Sequence, residues 1–167
     1  SSDLTMIFRS PTTTSRDTRV AKKLSEIAGI DAVELGKEIF DNNSMLDKLS
    51  DIELVSQDLK EYTSDNTVFA ISQIETVDAN RIAPRKAGFK KAMEKICDKN
   101  DYAFMCLMVT DIIEEGTELI VSGNKSALVE EAFKSSSEET VFLKGIMSRK
   151  KQVVPVLYEV LRKATMM

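Results

Sequence analysis

Residues 102–112 of this 167-residue chain are almost all apolar, and that run limits the folds open to it more than any other segment. Its densest part, 103–109, has the length of a strand and is far too short to cross a membrane as a helix. A strand that is apolar at consecutive positions, without alternation, has to be covered on both faces. Residues 117–122 read as a second strand, and Glu115-Gly116 between the two supplies a hairpin turn, so the pair is expected to be antiparallel. Residues 68–75 are rich in β-forming side chains and precede a helical pattern. Strands and helices therefore alternate through the C-terminal half. The expected fold class is α/β: a mixed sheet of about four or five strands with helices on both faces, forming a single domain.

The rest of the chain supplies the covering helices. Val20, Ala21, Leu24, Ile27 and Ala28 recur on one helical face from about residue 14 to Gly29. Asp31 with Glu34, and Ser50 with Glu53, form capping-box patterns for a second helix through Phe40 and a shorter third. The segment from Val77 contains Pro84 and leads into a helix over about 85–99. Asn124 is placed to cap a helix through Phe133, and a serine-rich loop at 135–137 follows. Val141, Phe142 and Leu143, then Gly145-Ile146-Met147, read as a last buried strand. Residues 1–13 carry Leu4, Met6, Ile7 and Phe8 without a clear period and read as a linker or docking strand.

Composition removes several classes of function. Hydrophobic residues make up 43% and charged residues 30%, the balance of a folded domain. No apolar stretch spans a membrane, and the start of the chain lacks a signal-peptide pattern, so a cytoplasmic location is expected. Cys97 and Cys106 match no metal or redox spacing and read as reduced core residues. The chain contains no histidine, which rules out Ser-His-Asp chemistry and the common His-containing metal sites within it. Its formal net charge of −4 argues against a nucleic-acid partner.

Against that acidic background stands Ser148-Arg149-Lys150-Lys151-Gln152-Val153-Val154-Pro155. Val154, Leu157, Val160, Leu161 and Ala164 recur at helical spacing, and Pro155 is tolerable only near a helix start, so a helix is expected to begin close to 151–153. The cations then sit where a strand gives way to a helix. Unpaired amides, the positive end of the helix dipole and an arginine fork would converge there on an anion. A solvated charged turn accounts for the same spacing.

This run, preceded by Leu143-Lys144-Gly145, resembles the C-terminal signature of family II inorganic pyrophosphatases, in the DHH phosphoesterase superfamily. Ser10-Pro11-Thr12, Glu26-Ile27-Ala28-Gly29-Ile30-Asp31-Ala32, Leu59-Lys60-Glu61-Tyr62-Thr63, Thr76-Val77-Asp78 and Val109-Thr110-Asp111-Ile112 follow the order and approximate spacing of that family. The resemblance covers essentially the whole chain. It implies two-domain enzymes, with an N-terminal domain whose Asp and His ligands, including an Asp-His-His motif, hold manganese or cobalt, and a C-terminal domain that binds substrate. Only the second is similar to this chain. Residues 1–13 would be an interdomain linker remnant and 14–167 the C-terminal substrate-binding domain.

The family's cationic ligands fall on Lys60, Arg149 and Lys150. Arg149 suits a bidentate grip on phosphate oxygens, while Lys60 and Lys150 act as point charges. Asp111, Ser148, Lys151 and Gln152 are candidates for a supporting shell. For Asp111 the alternatives are orienting Lys60 or Arg149, or pairing with a turn amide. For Lys151 a surface or salt-bridge role is favoured, and Ser148 reads as a cap. On this resemblance Mn2+ or Co2+ belongs to the absent N-terminal DHH domain, and this chain binds no metal. The partners are pyrophosphate or phosphate and that domain, and the chain alone is expected to be monomeric and inactive. Two alternatives share these residues: a domain of an exopolyphosphatase or prune-like phosphoesterase, and a freestanding phosphate-binding or protein-interaction module.

Overall fold

The doubly covered apolar run becomes the middle strand of five. The computed structural model of the chain describes residues 45–135 and 140–167, together with isolated positions between 19 and 38. Strands β1 (Lys60–Ser64), β2 (Thr67–Thr76), β3 (Met105–Asp111), β4 (Gly116–Ser122) and β5 (Phe142–Lys144) lie side by side in chain order. β2 and β3 are parallel, and every other neighbouring pair is antiparallel. The parallel pair exists because the chain leaves β2, crosses the sheet as helix α2 (Lys86–Asn100) and returns as β3. Every residue of β3 is buried.

Side chains alternate along each strand, so each strand feeds two cores. Ala70, Ile74, Met105, Leu107, Val109 and Ile120 meet α1 (Asp51–Gln57) and α2 through Leu54, Val55, Phe89 and Met93. Phe69, Ile71, Cys106, Met108, Leu119 and Val121 meet α3 (Ser126–Phe133) and α4 (Val154–Met166) through Val129, Phe133, Val154, Leu157 and Leu161. Each large apolar side chain fully buried in these layers contributes roughly 1.5–3 kcal/mol. An aromatic column binds α4 to the β1 edge of the second layer. Tyr62 stacks on Phe69 at 5.5 Å and Phe69 on Phe104 at 4.9 Å, while Tyr158 of α4 meets Phe69 edge-on at 5.9 Å. The mixed five-stranded sheet covered on both faces is the α/β fold that the sequence implies.

Local chemistry explains the agreements and the differences. The Ser50 hydroxyl accepts from the Glu53 amide, and the Glu53 carboxylate accepts from Ser50 at 2.8 Å, completing the expected capping box of α1. Among the isolated N-terminal positions, Arg19, Lys22, Lys23, Glu26, Ile27, Glu34 and Glu38 are helical, and the Glu34 amide donates to Asp31 at 3.3 Å. The leader at 1–13, Phe40 and most of the serine-rich loop lie outside the described residues. Asn124 does not cap α3: the N-cap position falls on Lys125, with no side-chain bond. Nor is the segment at 141–147 a buried strand. β5 is a three-residue edge paired on one side only, which leaves Val141 and Phe142 exposed.

β1 has no counterpart in the sequence-level reading. It pairs with β2 across a tight Asp65-Asn66 turn in which Asp65 takes φ 50°. Tyr62 alone gives it an apolar anchor, so the hydrophobic pattern of a strand is absent.

The edge strand β5 depends on a bare position opposite it. A Cβ on Gly116 would lie 2.9 Å from the Leu143 carbonyl and 2.4 Å from the Phe142 ring. The ring can swing away, but the carbonyl cannot move without breaking the β4–β5 ladder. Gly116→Ala is therefore expected to lower stability by about 1–3 kcal/mol. The midpoint of urea unfolding checks this, and an unchanged midpoint would count against a tight edge.

Candidate functional site

The face of the sheet under α3 and α4 is apolar at one end only. Along β2 the same-face positions run Phe69, Ile71, Gln73, Glu75, and on β3 and β4 they end in Thr110 and Thr117. These polar groups hold the chain between β5 and α4. Gln73 Nε2 donates to Thr110 Oγ1 at 2.9 Å and to the Met147 carbonyl at 3.1 Å. Thr110 and Thr117 hydroxyls share a hydrogen bond at 2.8 Å, and Thr117 donates onward to the Ile146 carbonyl. The loop carrying the cationic run is thus fastened to the sheet from below.

Gln152 closes the same loop from above. Its Oε1 accepts from the Met147 and Ser148 amides, each at 2.9 Å, and its Nε2 donates to the Gly145 carbonyl at 2.7 Å. Ser148 is the cap: its hydroxyl accepts from the Lys151 amide at 3.3 Å and its carbonyl from the Gln152 amide at 2.9 Å. The run Arg149–Val153 then makes one π-helical turn, with the Val154 amide reaching back to the Arg149 carbonyl, before α4 starts at Val154 with Pro155 second. Most junction amides consequently have protein acceptors. Side-chain cations, more than orphan amides, carry the positive charge here.

The π turn directs Arg149 inward. Its side chain is only 8% exposed. Nη1 donates to the Asp58 carbonyl at 2.6 Å and to the Ile71 carbonyl at 3.2 Å, while Nη2 faces the Asp58 carboxylate at 3.2 and 3.3 Å. Lys60 is the register partner of Ile71, and it shares a face with Tyr62, whose ring lies on Phe69. Lys60 and Arg149, distant in sequence, are therefore neighbours on one face of the sheet. Lys150 follows Arg149 and is exposed, as are Lys60 and Lys151; none of the three forms an ion pair among the described residues.

Asp111 belongs elsewhere. Its register partner Thr76 is five rungs from Ile71, about 16 Å along the strand, and it alternates onto the opposite face. Its carboxylate accepts from the Ala79, Ile113 and Glu114 amides at 2.9–3.0 Å, so it stabilises turns and orients neither Lys60 nor Arg149. Of the remaining supporting candidates, Ser148 and Gln152 shape the loop, and Lys151 is a surface cation.

Two carboxylates absent from the sequence-level reading complete the site. Asp58 contacts Arg149 directly, and half-buried Glu75 lies further along the same face of β2, within electrostatic range of both. Burial raises the Glu75 carboxyl above its ordinary value of 4.5; Asp58 pushes it the same way and Arg149 opposes them. Their signals in the sequence were faint: an acid two residues before Lys60, and a Gln-x-Glu alternation ending an otherwise apolar strand.

Among the described residues no group of three or more His, Cys, Asp or Glu could hold a metal ion. Both thiols are buried and free, with Cys97 pushed up to about 11 and Cys106 higher still by burial. A cavity of about 450 Å3 beside α2 is lined by Glu94, Asp98 and Asp101, the wrong sign for an anion.

The model of the DHHA2 domain matches residues 37–160. This chain belongs to the DHHA2 family. The chain is 41% identical over 155 residues to a manganese-dependent inorganic pyrophosphatase of Methanocaldococcus jannaschii, covering 92% of the chain and 50% of that protein. It is 40% identical to the manganese-dependent enzyme of Bacillus subtilis, over 91% of the chain and 50% of the relative. It is 36% identical to a cobalt-dependent inorganic pyrophosphatase of Clostridium perfringens, over 94% of the chain and 29% of the relative. A crystal structure from Methanococcus jannaschii, described as a family II inorganic pyrophosphatase, superposes with a TM-score of 0.78 at 39% identity, covering 95% of this chain and 51% of the other. The DHHA2 chain thus spans about half the length of the first two relatives.

Two expectations follow from this geometry. Gln152→Ala removes three hydrogen bonds to the loop backbone and should cost about 2 kcal/mol in urea unfolding; a loss below a few tenths would show that the clamp is idle. Glu75 binds its proton more readily folded than unfolded, so its contribution to stability falls as pH rises from about 4.5 through its raised folded value. Glu75→Gln should flatten that fall and be more stable than wild type at neutral pH. Parallel unfolding midpoints across that range would refute it.

Proposed function

We propose that this DHHA2 domain is the substrate-binding part of a metal-dependent inorganic pyrophosphatase, in which Arg149, Lys60 and Lys150 hold pyrophosphate. One observation carries the reading. A buried guanidinium is fixed by the main-chain carbonyls of Asp58 and Ile71, on the rung where Lys60 also stands. A structural ion pair on the surface needs no such mounting, whereas a rigid cation beside mobile ones suits an anion whose charge shifts during reaction. The names of the relatives supply the substrate and the manganese or cobalt requirement.

Breaking the phosphoanhydride demands neutralisation of the transferred phosphoryl group and of the departing phosphate. Arg149 would fix oxygens of one phosphate, and Lys60 and Lys150, on flexible stems at the rim, would follow charge onto the other. Manganese or cobalt would supply an activated water, but the described residues do not fit that metal. Its ligands are assigned to the other half of the parent, working in the cytoplasm.

Pyrophosphate titrated into 15N-labelled chain should shift signals around Lys60, Arg149 and Lys150. Arg149→Gln and Lys150→Ala should each weaken binding by about tenfold or more. In a parent enzyme the loss of one such contact is expected to cost about 3 kcal/mol of transition-state stabilisation. The chain alone should release no phosphate from pyrophosphate when manganese is added. Shifts confined to other regions, or substitutions without effect, would defeat the assignment.

A further inference from the structure

Arg149 already holds an anion, and that anion is part of the chain. A guanidinium has five N–H groups. The two on Nη1 are committed to the Asp58 and Ile71 carbonyls, at 2.6 and 3.2 Å. Nη2 is the terminal nitrogen free of the main chain, and both Asp58 carboxylate oxygens stand before it at 3.2 and 3.3 Å. A phosphate taking Nη2 meets that carboxylate first.

The two parts of Asp58 are differently secured. Its carbonyl accepts from Nη1 and orients the guanidinium together with that of Ile71, whereas its side chain remains 50% exposed. No other hydrogen bond holds the carboxylate among the described residues, so it can turn outward while the carbonyl stays. Orientation of Arg149 therefore does not require the carboxylate.

We infer that the Asp58 carboxylate is an internal stand-in for phosphate: it occupies Nη2 of Arg149 in the empty domain and is displaced when an anion binds. The inference rests on the anion-binding reading above and gives that site a built-in competitor. Asp58 would screen Arg149 while the site is empty, and it would select against anions too weakly charged to displace it.

The test is pyrophosphate binding to the 167-residue chain and to two variants, by titration calorimetry and by 15N signals of the Arg149 guanidinium. Asp58→Asn keeps the carbonyl, the size and the C-cap position but loses the charge. It should bind about five- to tenfold more tightly than wild type, and its ligand-free Arg149 signals should already differ from those of wild type. Asp58→Glu retains the competing charge and should gain less than twofold. If wild type binds at Lys60 and Arg149 while Asp58→Asn binds equally or more weakly, the carboxylate is a support, and the inference falls while the anion site stands. If neither protein binds pyrophosphate there, the anion site falls and takes the inference with it. A matched far-ultraviolet spectrum and unfolding midpoint for Asp58→Asn exclude misfolding as the cause of a loss.

Discussion

A guanidinium removed from water must find acceptors where it lies, and in this domain they come from two segments far apart in the chain. Arg149 takes the carbonyl of Asp58, just past α1, and the carbonyl of Ile71, in β2. Deleting such a group strands the carbonyls, and deleting only its partner strands a buried charge; each kind of break typically costs several kcal/mol. The contact also reinforces one edge of the sheet. β1 is a five-residue edge strand with one aromatic anchor at Tyr62, and Arg149 binds the chain two residues before it begins.

The sheet face beneath α3 and α4 is divided by function. Its Phe69, Met108 and Leu119 region is sealed by the helices, while Gln73, Thr110 and Thr117 stay polar under the loop from Gly145 to Ser148. Polar side chains in that position are satisfied by loop carbonyls and by one another, so burying them carries little penalty. The loop consequently has a defined height above the sheet. That height places Arg149 at the level of Ile71, where Lys60 can share the surface.

The layered architecture was legible because it rests on patterns that do not depend on distant partners. The unbroken apolar run of β3, the Ser50–Glu53 box and the Glu115-Gly116 turn are each local statements about burial or backbone geometry. β1 was not legible, since Lys60, Glu61 and Thr63 show no apolar alternation and the strand exists through its pairing with β2. The cations proposed for the candidate site come from the run at 149–151 and from the family resemblance. Their acidic partners were not legible: Asp58 and Arg149 are 91 residues apart, and only the folded register brings them together. Asp111 shows where the sequence leaves a choice open: a strand-end carboxylate could orient a cation or pair with a turn amide, and the fold gives it three turn amides.

The π turn at Arg149–Val153 gives the length of the cationic run a meaning separate from its charge. One residue more than an α-helical turn requires is accommodated there, between a side chain fixed in the sheet and an apolar stripe fixed on its surface. Removing one residue between Arg149 and Val154 would turn the i→i−5 bond of that pair into an ordinary i→i−4 bond and leave Val154, Leu157 and Leu161 on nearly the same side of the helix. The extra residue therefore changes the aim of the side chains inside the turn, while the apolar stripe beyond it keeps its phase against the core.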